Sequence, residues 1–223
     1  MALVWAAILA TVSFGCSRSP TTLDEVIERH TKAVGGRAAI EAIQSIEFDL
    51  HITDPKFEVD GTYFAARPGK MRIDVNAGGD HVFTEAFDGQ KGWEGKGTSQ
   101  KPATEKATAA LRHGVELPGK LFGLHELKAR GHRIELAERE KIDGIGYYVL
   151  RLTLNDGYAT TLYVDPTPTT IEQRSFDFRT VSGVQFAFAS SETDLQSGKV
   201  LETTVVRSVK INPPLVPSIF EKL

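Results

Sequence analysis

Histidines are the residues of this chain with the most direct potential for catalysis or metal binding. They are scattered, and no two have the close spacing that a zinc site requires. The six are His30, His51, His81, His113, His125 and His132. His30 falls on the apolar face of a predicted helix, so we expect it to be a hydrogen-bonded core imidazole. We expect His113 and His125, which flank a segment without strand character, to lie on the surface. The histidines therefore predict no metal site.

Carboxylates between residues 74 and 88 are the second set with chemical potential. Asp74, Asp80 and Glu85 suit the solvent-facing side of strands, and Asp88 followed by Gly89 is typical of a turn. The chain has no Gly-x-Ser-x-Gly, phosphate-binding loop, dinucleotide glycine pattern or His-Glu-x-x-His. The sequence thus predicts a protein that is not an enzyme and uses no cofactor. A hydrolase with unrecognised catalytic residues is the alternative.

The single cysteine, Cys16, lies directly after an uncharged apolar run at residues 2–15. A helix that spans a bilayer needs about 20 apolar residues, so this run suits an export signal instead. Bacterial lipoproteins are cut and acylated at such a cysteine, and Ser13-Phe14-Gly15-Cys16 resembles that site. We expect residues 1–15 to be a lipoprotein-type signal peptide and Cys16 to carry the lipid. Cleavage as an ordinary signal and an uncleaved N-terminus are the alternatives.

Composition excludes several classes of protein. The 223 residues are 41% hydrophobic and 25% charged, which is typical of a folded globular protein. The net charge of -3 provides no attraction for nucleic acid or for an anionic bilayer. No internal linker interrupts the chain, so we expect one domain at residues 16–223.

The clearest element is a hairpin at residues 145–165. Leu150 and Leu152 alternate with polar neighbours such as Arg151, which indicates a strand with one buried face. Asn155-Asp156-Gly157 supplies the positive φ angles of a tight turn before a second β-branched run. We expect the rest of the chain to repeat or cover this hairpin.

Helices are predicted near the N-terminus. Thr22 and Glu25 form a capping-box pattern, followed by apolar residues at helical spacing as far as Gly35-Gly36. A short second helix follows at residues 37–43. Their apolar faces indicate that both helices pack on a hydrophobic surface.

Two-residue periodicity predicts about ten or eleven strands, too many for a flat sheet of average size. They fall at residues 45–52, 57–65, 71–75, 81–87, around 93, 134–136, 145–154, 158–165, 170–179, 184–193 and 200–210. We therefore predict a mainly β fold with a helical cover, in which a curved antiparallel sheet forms an incomplete, half-open barrel. A solid sandwich of two sheets is the alternative.

Residues 102–127, which we call the lid segment, have little strand character and are predicted to close over the interior of the barrel. Gly119 and Gly123 would be its hinges. The apolar residues predicted to line the cavity are Met71, Ile73, Phe83, Phe87, Trp93, Leu121, Phe122, Leu124, Leu127, Phe176, Phe178, Phe186 and Phe188. A filled core made of the same residues is the alternative.

The order of these elements resembles the LolA/LolB-like group of periplasmic lipoprotein carriers and lipoprotein-sorting proteins. Four strings carry the resemblance: LDEVIERHTKAVGG at residues 23–36, RPGKMR at 67–72, FDGQKGW at 87–93 and TLYVD at 161–165. The resemblance implies a half-barrel with a helical lid around a hydrophobic cavity for acyl chains. It also implies residence in the bacterial envelope.

Together these features predict an envelope lipoprotein that binds or carries acyl chains or lipidated proteins, without chemistry on them. We expect a monomer anchored through acylated Cys16 and facing the periplasm. Ser17, directly after the cysteine, favours the outer over the inner membrane. The alternative is a structural or assembly lipoprotein with a filled core, which would bind protein partners through its strand edges.

Overall fold

The computed structural model describes residues 20–97, 99–142, 145–164, 174–193 and 200–221. The predicted signal peptide and Cys16 lie outside these residues, as do residues 170–173 of one predicted strand. All the helices and strands below lie between residues 20 and 221. A protein that begins at Ser17 therefore retains every element that contributes to the two cores.

Three α-helices are present in the described residues: α1 (Leu23–Ala33), α2 (Arg37–Glu41) and α3 (Glu105–Glu116). The predicted capping box begins α1, because Thr22 accepts a hydrogen bond from the backbone of Glu25 and the Glu25 carboxylate accepts one from the backbone of Thr22. Gly35 follows this helix at φ 123°, and a Cβ there would lie 2.2 Å from the Gly183 carbonyl oxygen. This glycine lets the end of α1 approach the sheet. None of these helices is long and apolar enough to span a membrane.

The larger sheet has nine antiparallel strands in the order β11-β12-β13-β1-β2-β3-β4-β5-β6. Its strands are β1 (Ser45–Asp54), β2 (Phe57–Ala66), β3 (Lys70–Ala77), β4 (Asp80–Phe87), β5 (Gly92–Lys96), β6 (Ser99–Pro102), β11 (Arg174–Val181), β12 (Val184–Thr193) and β13 (Val200–Ile211). Pairing of β1 with β13, for example Phe48 opposite Val209, joins the two meanders of the sequence. The sheet is curved and does not close into a barrel, so the predicted half-open fold is confirmed.

The smaller sheet contains the predicted hairpin. Its strands are β7 (Arg133–Leu136), β8 (Glu140–Ile142), β9 (Ile145–Thr153) and β10 (Ala159–Val164). Leu150 opposite Leu162 confirms the hairpin. The described residues form thirteen strands rather than ten or eleven. The additional ones, β6 and β8, are too short to show a two-residue period.

Two hydrophobic cores lie between the sheets and the helices. The first is on the larger sheet beneath α2, α3 and residues 117–123, and it includes Ile46, Phe48, Met71, Phe87, Leu111, Val115, Leu121, Phe122, Phe186 and Phe188. The second joins α1 and residues 124–127 to the smaller sheet, and it includes Val26, Ile27, Leu124, Leu127, Ile134, Leu150, Leu152 and Leu162. The lid segment therefore contributes side chains to both cores.

The opposite face of the larger sheet is partly covered by the C-terminal segment. Its 3-10 helix (Pro217–Phe220) buries Phe220, and Arg72 donates a hydrogen bond to the Ile219 carbonyl oxygen at 3.0 Å. Arg72 also binds both carboxylate oxygens of Asp74 at 2.8 Å, and Thr84 donates to Asp74 at 2.6 Å. Asp74 is thus part of a partly buried hydrogen-bond network and is not the solvent-facing residue that we predicted. It is drawn into the network because it serves as the counter-ion of Arg72 on the same strand.

Candidate functional site

A partly enclosed cavity of about 130 Å³ lies where the end of α1, the α2 helix, the lid segment and the β11–β12 hairpin meet. Its lining is mostly apolar. The residues are His30, Val34, Ile40, Ile43, Gly119, Lys120, Phe122, Gly123, Phe178, Val184, Gln185, Phe186 and Ala187. The backbone amide of Gln185 donates to the Val34 carbonyl oxygen at 3.0 Å, which fixes α1 on β12 beside the cavity.

The size of the cavity sets what it can hold in this closed state. A dry apolar cavity of about 150 Å³ is large enough to bind benzene. The observed 130 Å³ is comparable, so it accommodates a short length of hydrocarbon and not a complete long chain. A longer ligand requires the lid segment to move away from the first core.

Ten of the thirteen predicted lining residues fall into three groups. Phe122, Phe178 and Phe186 border the cavity. The side chains that pack around it in the first core are Met71, Phe87, Leu121 and Phe188, with Ile73 partly buried against them. Leu124 and Leu127 are instead buried in the second core, where they hold the lid segment on α1 and the smaller sheet.

Phe83, Trp93 and Phe176 lie away from the cavity, contrary to their predicted position. Phe83 is on the same face as Met71 and Phe87 but is 37% exposed, toward the other end of β4. Trp93 is paired with Ala86, so it projects from the face opposite Phe87. Phe176 is 47% exposed and is paired with Ala189, whose side chain points away from that of Phe188. The alternation of apolar and polar residues along a strand does not show which face of the sheet, or which end of the strand, other elements pack against.

Arg67, in the turn between β2 and β3, fastens the lid segment in place. Its guanidinium binds the Glu126 carboxylate, with Nη1 2.6 Å from Oε1 and Nη2 3.2 Å from Oε2. It also donates to the carbonyl oxygens of Ile43 at 2.7 Å and Leu121 at 3.0 Å. Both charged side chains are largely buried, with 18% and 13% exposed, so this pair belongs to the interior of the closed state.

Glu126 and Phe122 are the two lid-segment side chains that the Arg67 guanidinium contacts. Burial opposes ionisation of Glu126, but hydrogen bonds from Arg67 and from the Gly123 amide outweigh it and hold its pKa below the ordinary value. The Phe122 ring lies between two guanidinium groups, 4.6 Å from that of Arg67 and 3.5 Å from that of Arg130. The aromatic residue next to the cavity is thus held by one cation from the turn between β2 and β3 and by another that follows the lid segment in the sequence.

Three histidines differ from the sequence prediction, and His125 and His30 are the first two. The His125 side chain is only 2% exposed rather than on the surface, because the lid segment folds it between Thr31 and Glu41. Burial, together with the nearby His125, lowers the pKa of His30 to about 4, so His30 is neutral at pH 7. The Nδ1 atom of His30 is buried and has no hydrogen-bond partner among the described residues, contrary to the predicted hydrogen-bonded imidazole.

Asp156 connects α3, the helix within the lid segment, to the hairpin of the smaller sheet. Its Oδ2 lies 2.7 Å from His113 Nε2 and 2.6 Å from Arg112 Nη2. Hydrogen bonds from His113, from the Tyr158 amide and from Arg112 lower the pKa of Asp156 to about 2. The His113 side chain is 15% exposed, so the prediction of a surface residue is wrong, since it stacks on Tyr158 and binds Asp156.

We expect Asp156→Asn to lower the free energy of unfolding by about 1 kcal/mol at pH 7, after allowance for solvent screening. A lowered pKa in the folded state means that the stabilisation is present above the ordinary Asp value near 4. It disappears as the pH falls through about 2. Urea unfolding at pH 7, 4 and 3 would therefore show the two proteins converging in stability. An unchanged difference between them at pH 3 would contradict this prediction.

No group of three or more potential metal-ligating side chains occurs among the residues that the structure describes. The cavity itself combines an apolar lining with one lysine and one neutral histidine. Such a lining can shield hydrocarbon and offers one cationic contact.

The fold is similar to those of several solved structures. A LolA superfamily protein from Nitrosomonas europaea superposes with a TM-score of 0.56 at 16% identity, over 91% of this chain and 99% of that one. A DUF1329 family protein from Desulfovibrio piger gives 0.55 at 11% identity, over 90% and 98%. An outer membrane lipoprotein-sorting protein domain from Vibrio parahaemolyticus gives 0.54 at 13% identity, over 89% and 95%.

No protein-family model matches the chain, and no curated protein matches it in sequence. The similarity is therefore one of fold, and it extends over nearly the whole length of the chains compared. The chain has a LolA-like fold, as the resemblance in its sequence predicted.

Proposed function

We propose that this protein is an envelope lipoprotein that binds acyl chains, free or attached to a protein, between its larger sheet and its lid segment, without chemistry on them. The observation that carries the proposal is the apolar cavity beneath a lid segment that polar contacts hold closed. Two of the similar folds support it, because their descriptions name the LolA superfamily and lipoprotein sorting.

Binding requires a change in the lid segment. Each methylene removed from water contributes about 0.8 kcal/mol of binding free energy. A chain that is buried beyond the limits of the closed cavity therefore binds more tightly than one of which only the tip is buried. Residues Leu121 and Phe122 would leave the first core and close again over the ligand. Gly119, at φ 114°, and Gly123 are the proposed hinges.

The proposed location follows from the N-terminal sequence. Residues 1–15 would direct export, and an acyl group on Cys16 would anchor the domain to the membrane, facing the periplasm. Ser17 favours the outer membrane. Its partners would be lipids or lipidated proteins, and we propose that it acts as a monomer.

Native mass spectrometry tests this proposal. A protein that begins at Ser17, purified from a bacterial host without detergent, is expected to carry mass increments that match fatty acids or phospholipids. Incubation with dodecanoate should load any apo protein. Exclusively apo protein both before and after incubation would contradict the proposal.

A structural or assembly lipoprotein is the second candidate, because the first core is well filled in the closed state. Leu121 and Phe122, which would form the roof of a large cavity, are 0% and 5% exposed. This candidate predicts that chains do not load even when the Arg67–Glu126 pair is broken. The proposed acyl-chain binder predicts faster loading in that variant.

A further inference from the structure

Lys120 is the unusual residue in the lining of the cavity. It lies in the lid segment between Gly119 and Leu121, and its ammonium nitrogen is 4.6 Å from the centroid of the Tyr63 ring. That ring is 5% exposed and stacks on Phe48 in the first core. The ammonium thus lies over an aromatic ring of the first core, on a residue that borders the cavity.

No carboxylate of the described residues pairs with this ammonium. Glu116 and Glu126, the acidic residues of the lid segment nearest to Lys120 in the sequence, pair with Arg130 and Arg67. Lys120 is an exposed residue overall, but the protein packed around its ammonium, including the Tyr63 ring, lowers the pKa of that group. A carboxylate placed beside it would offset that effect.

The other described residues that line the cavity provide no competing cation, since Arg67 and Arg130 lie on Phe122 and do not line the cavity themselves. His30 is neutral at pH 7, and the remaining described lining residues are apolar, glycine or Gln185. The backbone amides of Gly119 and Gly123 are already bonded, to the Phe122 carbonyl oxygen and to Glu126. Lys120 is therefore the described lining group that can neutralise an anion.

We propose that Lys120 binds the head group of a single-chain carboxylate, such as a fatty acid anion, whose tail enters the cavity. A single ammonium matches a single negative charge, whereas phosphate groups are usually bound by several donors or by bidentate arginine. The cavity volume of 130 Å³ also suits the end of one chain rather than two. This inference rests on the proposed acyl-chain function and specifies the charge and the number of chains of the ligand.

The test is competition between matched ligands. Dodecanoate, dodecanol and methyl dodecanoate would displace the neutral dye N-phenyl-1-naphthylamine from the protein that begins at Ser17. We expect dodecanoate to bind about tenfold more tightly than the two neutral chains, since a charge-assisted contact typically contributes that much. Lys120→Met should reduce the ratio to about one while leaving dodecanol affinity within about twofold.

Two further variants complete the design. Lys120→Arg should retain the preference for the carboxylate. Lys128→Met removes an exposed lysine that pairs with Asp24 just beyond the lid segment, and it should retain the preference as well. Circular dichroism shows whether Lys120→Met folds. If it does not, the proposal is tested by the ratio of dodecanoate affinity to dodecanol affinity in the unmodified protein and in Lys120→Arg.

The outcomes separate the two proposals. Equal binding of dodecanoate and dodecanol by the unmodified protein overturns the role of Lys120 and leaves acyl-chain binding intact. A carboxylate preference that persists in Lys120→Met also overturns it. Failure of all three chains to bind overturns both proposals.

Discussion

Arg67→Met is expected to lower the free energy of unfolding by about 3 kcal/mol and to release the lid segment. The substitution leaves the largely buried Glu126 carboxylate without its cation and removes the donor to the carbonyl oxygens of Ile43 and Leu121. Breaking a buried ion pair from one side typically costs about 3–5 kcal/mol, and the partial exposure of this pair favours the lower end. Urea unfolding measures the loss of stability. Faster hydrogen exchange at residues 119–127 would report the release of the lid segment.

The matched control is Arg133→Met. Arg133 pairs with Glu135 on the surface, with 75% of its side chain exposed, so its loss should change stability by less than about 1 kcal/mol. A second variant, Arg67→Met with Glu126→Leu, removes the unpaired charge and should recover part of the stability. Equal effects of Arg67→Met and Arg133→Met would show that Arg67 does not hold the lid segment.

The pH dependence of this variant follows from the lowered pKa of Glu126. In the unmodified protein, the stabilisation from Glu126 is present above the ordinary glutamate value and is lost as the pH falls below it. Without Arg67, burial still opposes ionisation and the Gly123 amide is the main hydrogen bond left to offset it, so the pKa of Glu126 is higher than in the unmodified protein and protonation relieves the variant earlier. The difference in unfolding free energy between the two proteins should therefore shrink from pH 7 to pH 4.

Val184→Trp is expected to weaken the binding of acyl chains roughly 50-fold. Val184 borders the cavity and is 6% exposed, so a larger side chain occupies the space that the end of the ligand would use. Exclusion of about three methylenes at 0.8 kcal/mol each gives this magnitude. Displacement of the neutral dye by dodecanol measures the affinity, so the result does not depend on Lys120.

Val200→Trp is the control for this substitution. Val200 is 49% exposed on β13 and does not border the cavity, so binding should change by less than about twofold. If Val184→Trp does not fold, Ala187→Phe replaces it as the cavity-filling variant, because Ala187 also borders the cavity. Full dodecanol affinity in both cavity variants would mean that the ligand binds elsewhere.

Local structure was predictable wherever a short stretch of residues determined it. The capping box of Thr22 and Glu25 fixed the start of α1, and Asn155-Asp156-Gly157 fixed the hairpin turn. The alternation in β9 identified Leu150 and Leu152 as buried. In each case neighbouring residues supply the physical cause, so no tertiary information is required.

The residues that control the site were not predictable in the same way. The sequence around Arg67, Arg-Pro-Gly, is typical of a turn and does not indicate an ion pair, because the partner Glu126 is 59 positions away in the sequence. Lys120 had no apolar periodicity that would place it on the cavity. The burial of His125 likewise depends on how the lid segment folds onto α1 and α2. The surroundings of Arg67, Lys120 and His125 all depend on contacts between segments that are distant in the sequence.

The most direct test of acyl-chain binding is to locate a bound chain by NMR. Octadecanoate carrying a nitroxide near its methyl end would be added to methyl-labelled protein that begins at Ser17. We predict strong broadening of the methyl signals of Ile40, Ile43 and Val184, which border the cavity, and little effect at the exposed Val200 and Val216. Uniform broadening of exposed methyl groups, with sharp signals from the three cavity residues, would contradict an interior binding site.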